Sequence, residues 1–327
     1  MPAHHAALVS RCALSRSVLV VQGKAVLNFK GIPDWTQQLP DLEERSAGKR
    51  TVPVHAALAV VDDGASAGVL WLRPWNLGGH SGGSSAGSPR CVATWVEGYR
   101  SALELGKEAR GARVADVGDP QGNFAKLFLS RPGTRNAAEI VVRPARARQH
   151  RVVARSGPVQ LGTHLSGLRP VARGHSISTP GKRSRNARVE VRADMVTLRQ
   201  TGSRGKAVRA QAVLVSEPAP PSNKRALARL LLASESKATV GAALRTVRRY
   251  DRCQVISEYF SVLKSGLRSI GDLLPSGASR DESFDLAAVN TWNVFRMSCI
   301  AASSRGTASF GPRGLNLSGM SARLRNT

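Results

Sequence analysis

Residues 52–72, VPVHAALAVVDDGASAGVLWL, decide the fold. VPVHAALAVV (52–61) is an apolar run of strand length. Asp62, Asp63 and Gly64 are turn formers. GVLWL (68–72) returns the chain as a second apolar run, so the stretch reads as a β-hairpin. Upstream, SVLVV (17–21) and AVLNF (25–29) read as a short buried strand and its continuation. The chain therefore opens with three antiparallel strands.

The pattern then alternates. Residues 94–109 are helical, with Trp95, Tyr99 and Leu103 recurring one turn apart and Glu97, Arg100, Glu104 and Lys107 off that stripe. Residues 113–117 form a strand with Asp119 just past its end. Residues 124–129 start a helix and 140–143 form another strand. From 151 to 216 the signal is all β, broken by basic turns at 180–185 and 202–206. Residues 227–233 form a buried strand. Residues 239–263 and 284–301 are helical, while 303–327 is Ser/Gly/Arg-rich and reads as a disordered tail. GGHSGGSSAGS (78–88) lacks the spacing of a phosphate-binding loop and reads as a flexible loop. Three hairpin strands followed by α/β units make a mixed sheet. This is a ribonuclease-H-like order of elements interrupted by an inserted all-β subdomain. The expected boundaries are a disordered 1–16, a first part of the ribonuclease-H-like domain at 17–145, a β insertion at 146–222, a second part at 223–302, and the tail.

The chain of 327 residues carries 48 Lys+Arg against 22 Asp+Glu, a formal net charge of +26. That excess favours a polyanionic partner. A basic composition rich in Arg, Ala and Gly is the competing account. Cys12, Cys91, Cys253 and Cys299 form no CxxC pair and have no histidine at ligand spacing, which argues against a zinc site or a disulfide framework. The apolar run 18–21 is too short for a signal-peptide core. No stretch approaches the ~20 apolar residues of a membrane span, so a soluble intracellular protein is expected.

Three segments carry a family resemblance. LVVQGKAVLNF (19–29) is similar to a first catalytic strand of the form LVIQDTT. GARVADVGDPQGNFAKLF (111–128) is similar to V-x-V-x-D-R-E-G-D-I-x-x-L-F. YDRCQVISEYFSVLKSG (250–266) is similar to Y-R-C-R-W-Q-I-E-x-F-F-x-V-L-K-S-G. The chain thus resembles bacterial insertion-sequence transposases of the DDE type, the group with a β-strand insertion and a Tyr-Arg-Glu-Lys signature. The resemblance covers about residues 17–300.

It implies DNA transposition through three carboxylates holding two divalent cations, Mg²⁺ or Mn²⁺, which activate the attacking oxygen and stabilise the leaving one. It implies DNA ends as partner, with a homodimer open, and assigns the tyrosine, arginine and lysine of the last motif to DNA phosphates. It also implies a truncated copy, since the family carries a helical end-recognition domain before the first catalytic strand and 16 residues precede Ser17 here.

Residue by residue the match is partial. The first family aspartate falls on Gly23, beside Lys24. The second falls on Asp119, the only metal ligand retained, with Pro120, Gln121 and Asn123 replacing Arg, Glu and Asp. In the last motif Tyr250 and Lys264 match. The arginine position falls on Cys253 and the glutamate position on Ser257, with Arg252 and Glu258 each one place away. One residue on a helix is a rotation of about 100°, so Glu258 is a poor substitute ligand. The sequence therefore predicts a transposase-family protein that binds DNA and is catalytically defective. A non-enzymatic DNA-binding remnant and a pseudogene product are the alternatives.

Each residue also has a plainer role. Asp119 after a strand suits a helix N-cap. Arg248, Arg249 and Arg252 make either a DNA-facing or a merely solvated face. Arg143, Arg146, Arg148, Arg151 and Arg155 form a dense arginine cluster where the chain enters the insertion and suit a nucleic-acid stripe. Tyr259, Phe260 and Leu263 read as core. So do Met195, Trp292, Phe295 and Met297.

Overall fold

The computed structural model describes residues 2–30, 43–45, 49–62, 64–74, 89–120, 124–134, 136–144, 150–154, 157–178, 185–199, 206–224 and 226–270. The expected loop 78–88, helix 284–301 and tail 303–327 lie outside the described residues, as do Gln121, Asn123, Arg146, Arg148, Arg155, Trp292, Phe295 and Met297. The fold is mixed α/β, with twelve strands and six helices among the described residues. It forms two compact units. Unit 1 is built from the described residues up to Asp116 and from Cys253 onward, and unit 2 from Val117 to Arg252.

Unit 1 is organised on β1 (Ser17–Lys30), one continuous strand where the sequence suggested two segments. Gln22, Gly23 and Lys24 do not break it, because each pairs in register with Ala57, Ala56 and His55 of β3 (Lys49–Val61). Within that ladder the backbone hydrogen bonds override the weak strand propensity of glycine. The short β2 (Glu43–Arg45) and the hairpin strand β4 (Ser66–Pro74) both pair with β3. Gly64 turns this hairpin at φ +90°, a conformation glycine adopts freely, and its N–H donates to Val61 O at 2.9 Å. Asp62 beside it accepts from the Arg16 and Ser17 N–H groups at 2.9 and 3.1 Å, which ties the turn to the start of β1.

Val18, Leu19, Val20 and Val21 are all buried, so both faces of β1 are covered. One face takes α2 (Pro89–Glu108), whose Trp95, Tyr99 and Ala102 are buried. The other takes α6 (Gln254–Ile270), through Ile256 and Phe260 at Gly23.

The expected disorder of residues 1–16 is corrected: they contain the helix α1 (Pro2–Ala13). Leu8 and Cys12, one turn apart, are fully buried. Arg11 Nε donates to Ala67 O at 2.7 Å and His4 Nε2 bonds Val69 O at 3.0 Å. Anchorage to β4 supplies what local propensity does not.

Unit 2 is a ladder in the order β6 (Glu139–Val142), β12 (Ala228–Ala233), β11 (Ala207–Ser216), β10 (Arg185–Arg199), β7 (Arg151–Ala154), β8 (Gly157–Gln160), with β9 (Ala172–Ser178) on the first half of β10. Strands of the 146–222 segment are thus joined to β12 through β11, in register from Gln211↔Ala233 to Ser216↔Ala228. The short α3 (Ala125–Leu129) follows β5 (Arg113–Gly118). The all-β reading of 151–216 needs one correction, the helix α4 (Leu161–Gly167), which buries Leu161 and Leu165.

The expected single helix 239–263 is two helices. α5 (Val240–Asp251) begins at Thr239, whose side chain accepts from Ala242 N. It buries Ala242, Ala243, Thr246, Val247 and Tyr250 as one stripe, and the helix breaks at Arg252 and Cys253 before α6. Tyr259, Phe260 and Leu263 are buried on α6.

Candidate functional site

β5 and β6 each end one residue short of a charged side chain: Asp119 follows Gly118 and Arg143 follows Val142. The Arg143 N–H donates to Gly118 O at 3.0 Å, so the two residues leave the sheet side by side. Arg143 Nη2 then donates to Asp119 Oδ2 at 2.6 Å. Tyr250, in the last turn of α5, donates its hydroxyl to Asp119 Oδ1 at 2.7 Å. The Arg143 guanidinium stands 5.6 Å from the Tyr250 ring centroid. Both oxygens of Asp119 are thus engaged by donors, one of them cationic. Sequence spacing alone does not bring these three residues together. The ladder between β5 and β6 and the burial of the α5 stripe do.

Around this triad the charges are largely paired. Arg249 Nη1 donates to Glu139 Oε2 and lies 3.9 Å from Glu235. Arg245 grips Glu235 through Nε and Nη2 at 3.2 and 3.1 Å, which raises its already high pKa. Arg229 Nη1 meets Asp251 Oδ1 at 2.6 Å. Of the arginines the sequence offered to DNA, Arg249 is therefore committed to carboxylates, Arg248 is exposed and Arg252 is half-buried. Tyr250 is buried, its hydroxyl turned to Asp119 rather than to solvent. Lys264 is exposed on α6, in unit 1.

The remaining family positions also lie in unit 1. Ser257 is exposed and Glu258 half-buried on α6. A Cβ on Gly23 would stand 2.7 Å from Ile256 Cγ1 and 3.1 Å from Phe260 Cε2, so apolar side chains fill the space an aspartate would need. Among the described residues no group of three or more His, Cys, Asp or Glu side chains is placed to hold a metal ion. The retained position does not suit a divalent cation either. Its carboxylate already answers to a guanidinium and a hydroxyl. The residues present do not fit the family's metal pair.

Unit 1 holds a second polar cluster that sequence reasoning missed. Gln22 Nε2 donates to Asp116 Oδ1 at 2.6 Å and approaches Trp95 O at 3.4 Å. Asp116 is wholly buried, and burial pushes its pKa up to about 7 against the opposing effect of the Gln22 hydrogen bond. His55 is fully buried, with ring centroids 4.8 Å from Trp71 and 4.7 Å from Trp95. Neither of its nitrogens has a hydrogen-bond partner among the described residues. Burial holds its pKa well below the usual value, and nearby Lys24 adds to the effect. Lys24 Nζ lies 5.4 Å from the Trp95 ring centroid rather than beside a metal position. A lone acid at the centre of RVADVG was the available signal for Asp116. Its partner Gln22 lies 94 residues away and carries no motif.

Neither protein-family models nor curated proteins give a match to this chain.

Proposed function

We propose that this chain is a DNA-binding protein of transposase type, on a ribonuclease-H-like scaffold with a β-strand insertion, that does not cleave DNA. The observation that carries the reading is the bond between Tyr250 and Asp119, 131 residues apart. The resemblance assigns these two residues to one site on separate motifs, and they meet at 2.7 Å. The loss of cleavage follows from two separate observations, one in each unit. Arg143 supplies the positive charge beside Asp119, and Ile256 fills the space at Gly23. The net charge of +26 fits a polyanionic partner.

Incubation with supercoiled plasmid and Mg²⁺ or Mn²⁺ should leave the plasmid intact, while gel-shift affinity for duplex DNA should fall steeply with salt. Asp119-dependent nicking would overturn the non-cleaving half of the proposal. Binding that does not weaken with salt would overturn the other half.

A further inference from the structure

We propose that the exposed end of the sheet face formed by β7, β10 and β11 is a phosphate-tracking surface for duplex DNA, with Arg151, Arg199 and Arg209 as its contacts. The inference rests on the DNA-binding reading and locates its interface. Register places the three residues together. Thr197 of β10 pairs with Val153 of β7 on one side and with Arg209 of β11 on the other. Directly paired residues share a face, and so do residues two apart on a strand. Antiparallel continuation sets Arg199 opposite Arg151, both on the face of Thr197 and Arg209. Gln160 and Pro158 of β8 extend it, paired with Arg151 and Val153.

Burial follows the same alternation. Arg151, Pro158, Gln160, Arg199 and Arg209 are exposed on this face, while Val152, Ala154, Val196, Leu198 and Ala210 are buried on the other. α4 covers that other side, where His164 bonds Asp194 at 2.7 Å, and α5 covers the arginine face only farther along β11, at the buried Gln211, which accepts from Thr246. The exposed end of this face thus presents arginine, glutamine and threonine, and none of the strand residues named on it is a carboxylate. Like charges opposite one another in a sheet are unfavourable, and unlike the arginines around Asp119 these three have no acid among the described residues of the face to neutralise them. An anion from outside fits this arrangement. Adjacent strands lie about 4.8 Å apart, so guanidiniums on three strands span roughly 10 Å. That matches about three phosphates of one DNA strand at about 3.4 Å of axis each.

The test is fluorescence anisotropy with a labelled random-sequence duplex, between about 50 and about 200 mM salt. It compares the full chain with a triple variant, Arg151→Gln, Arg199→Gln and Arg209→Gln. Each lost phosphate contact lowers the log–log salt slope by about 0.9, so the triple variant should lose about 2.7. A triple lysine variant should keep the wild-type slope to within about 1, and unchanged circular dichroism spectra exclude unfolding as the cause. Wild-type binding with an unaltered slope in the glutamine variant would overturn this surface and leave the DNA reading standing. No wild-type binding to duplex would overturn both. Preferential displacement of the duplex by single-stranded RNA would overturn the choice of partner.

Discussion

Asp116→Asn should make the protein more stable at alkaline pH and change little at acid pH. In the folded state the Asp116 carboxyl titrates near pH 7 because burial penalises its charge, against 3.8 for an exposed carboxyl. The folded protein therefore holds this proton more tightly than the unfolded chain. Its contribution to stability is full below about pH 4 and is lost as pH rises through about 7. A shift of roughly three units at about 1.4 kcal/mol each gives about 4 kcal/mol in total, of which about 3 kcal/mol falls between pH 5 and 8. Asparagine cannot ionise, and its carbonyl can still accept from Gln22 Nε2. The assay is urea unfolding of both proteins across that range, read as the difference in their unfolding free energies. Taking the difference cancels His55, whose lowered pKa acts in the opposite sense by destabilising the fold as pH falls below about 6.5. The advantage of the variant should grow by about 3 kcal/mol from pH 5 to pH 8. A difference that stays flat with pH would refute the buried, neutral carboxyl.

Tyr250→Phe removes one donor from a half-exposed carboxylate and should cost about 1 kcal/mol by chemical denaturation, with a much larger loss pointing to a packing role for the hydroxyl. Gly98→Ala should destabilise by about 1–3 kcal/mol despite alanine's better helix propensity, because its Cβ would stand 2.0 Å from Gln22 Oε1. Pairing that change with Gln22→Ala should restore part of the loss, and strict additivity would count against the clash. Gly23→Asp should lower the melting temperature without creating Mg²⁺-dependent nicking, since the new side chain meets Ile256 before it could meet a metal; nicking by this variant would contradict the account.

Strand positions were largely legible because both faces of β1 and β3 are apolar, and runs such as VLVV and AALAVV cannot be left in water. The hairpin at Asp62–Gly64 was legible for a different reason: its turn residues have few other uses. Helix α1 was not legible, because only Leu8 and Cys12 mark its buried side and its anchors, Val69 O and Ala67 O, are backbone atoms far along the chain. α4 was hidden by its length, too short to show a helical period. Asp119 and Tyr250 were singled out only through the family resemblance. Arg143 was read only as one of a cluster of arginines, since nothing local announces that a residue after one strand will neutralise a residue after its neighbour. Gln22 and Asp116 form a pair that exists only once the sheet is assembled.

The break between α5 and α6 has a temporal side. Unit 1 is discontinuous: residues up to Asp116 are joined by α6 only after the whole of Val117–Arg252 has been made. Until then the face of β1 around Gly23 has no Ile256 or Phe260 against it. On a ribosome adding about 5–20 residues per second, the intervening stretch leaves that apolar face uncovered for several seconds. Such long-range closure is slow in its own right, because loop-closure entropy is spent before the contact forms. The vulnerable species of this protein is therefore the nascent chain, in which the first strands exist and the helix that shelters them does not.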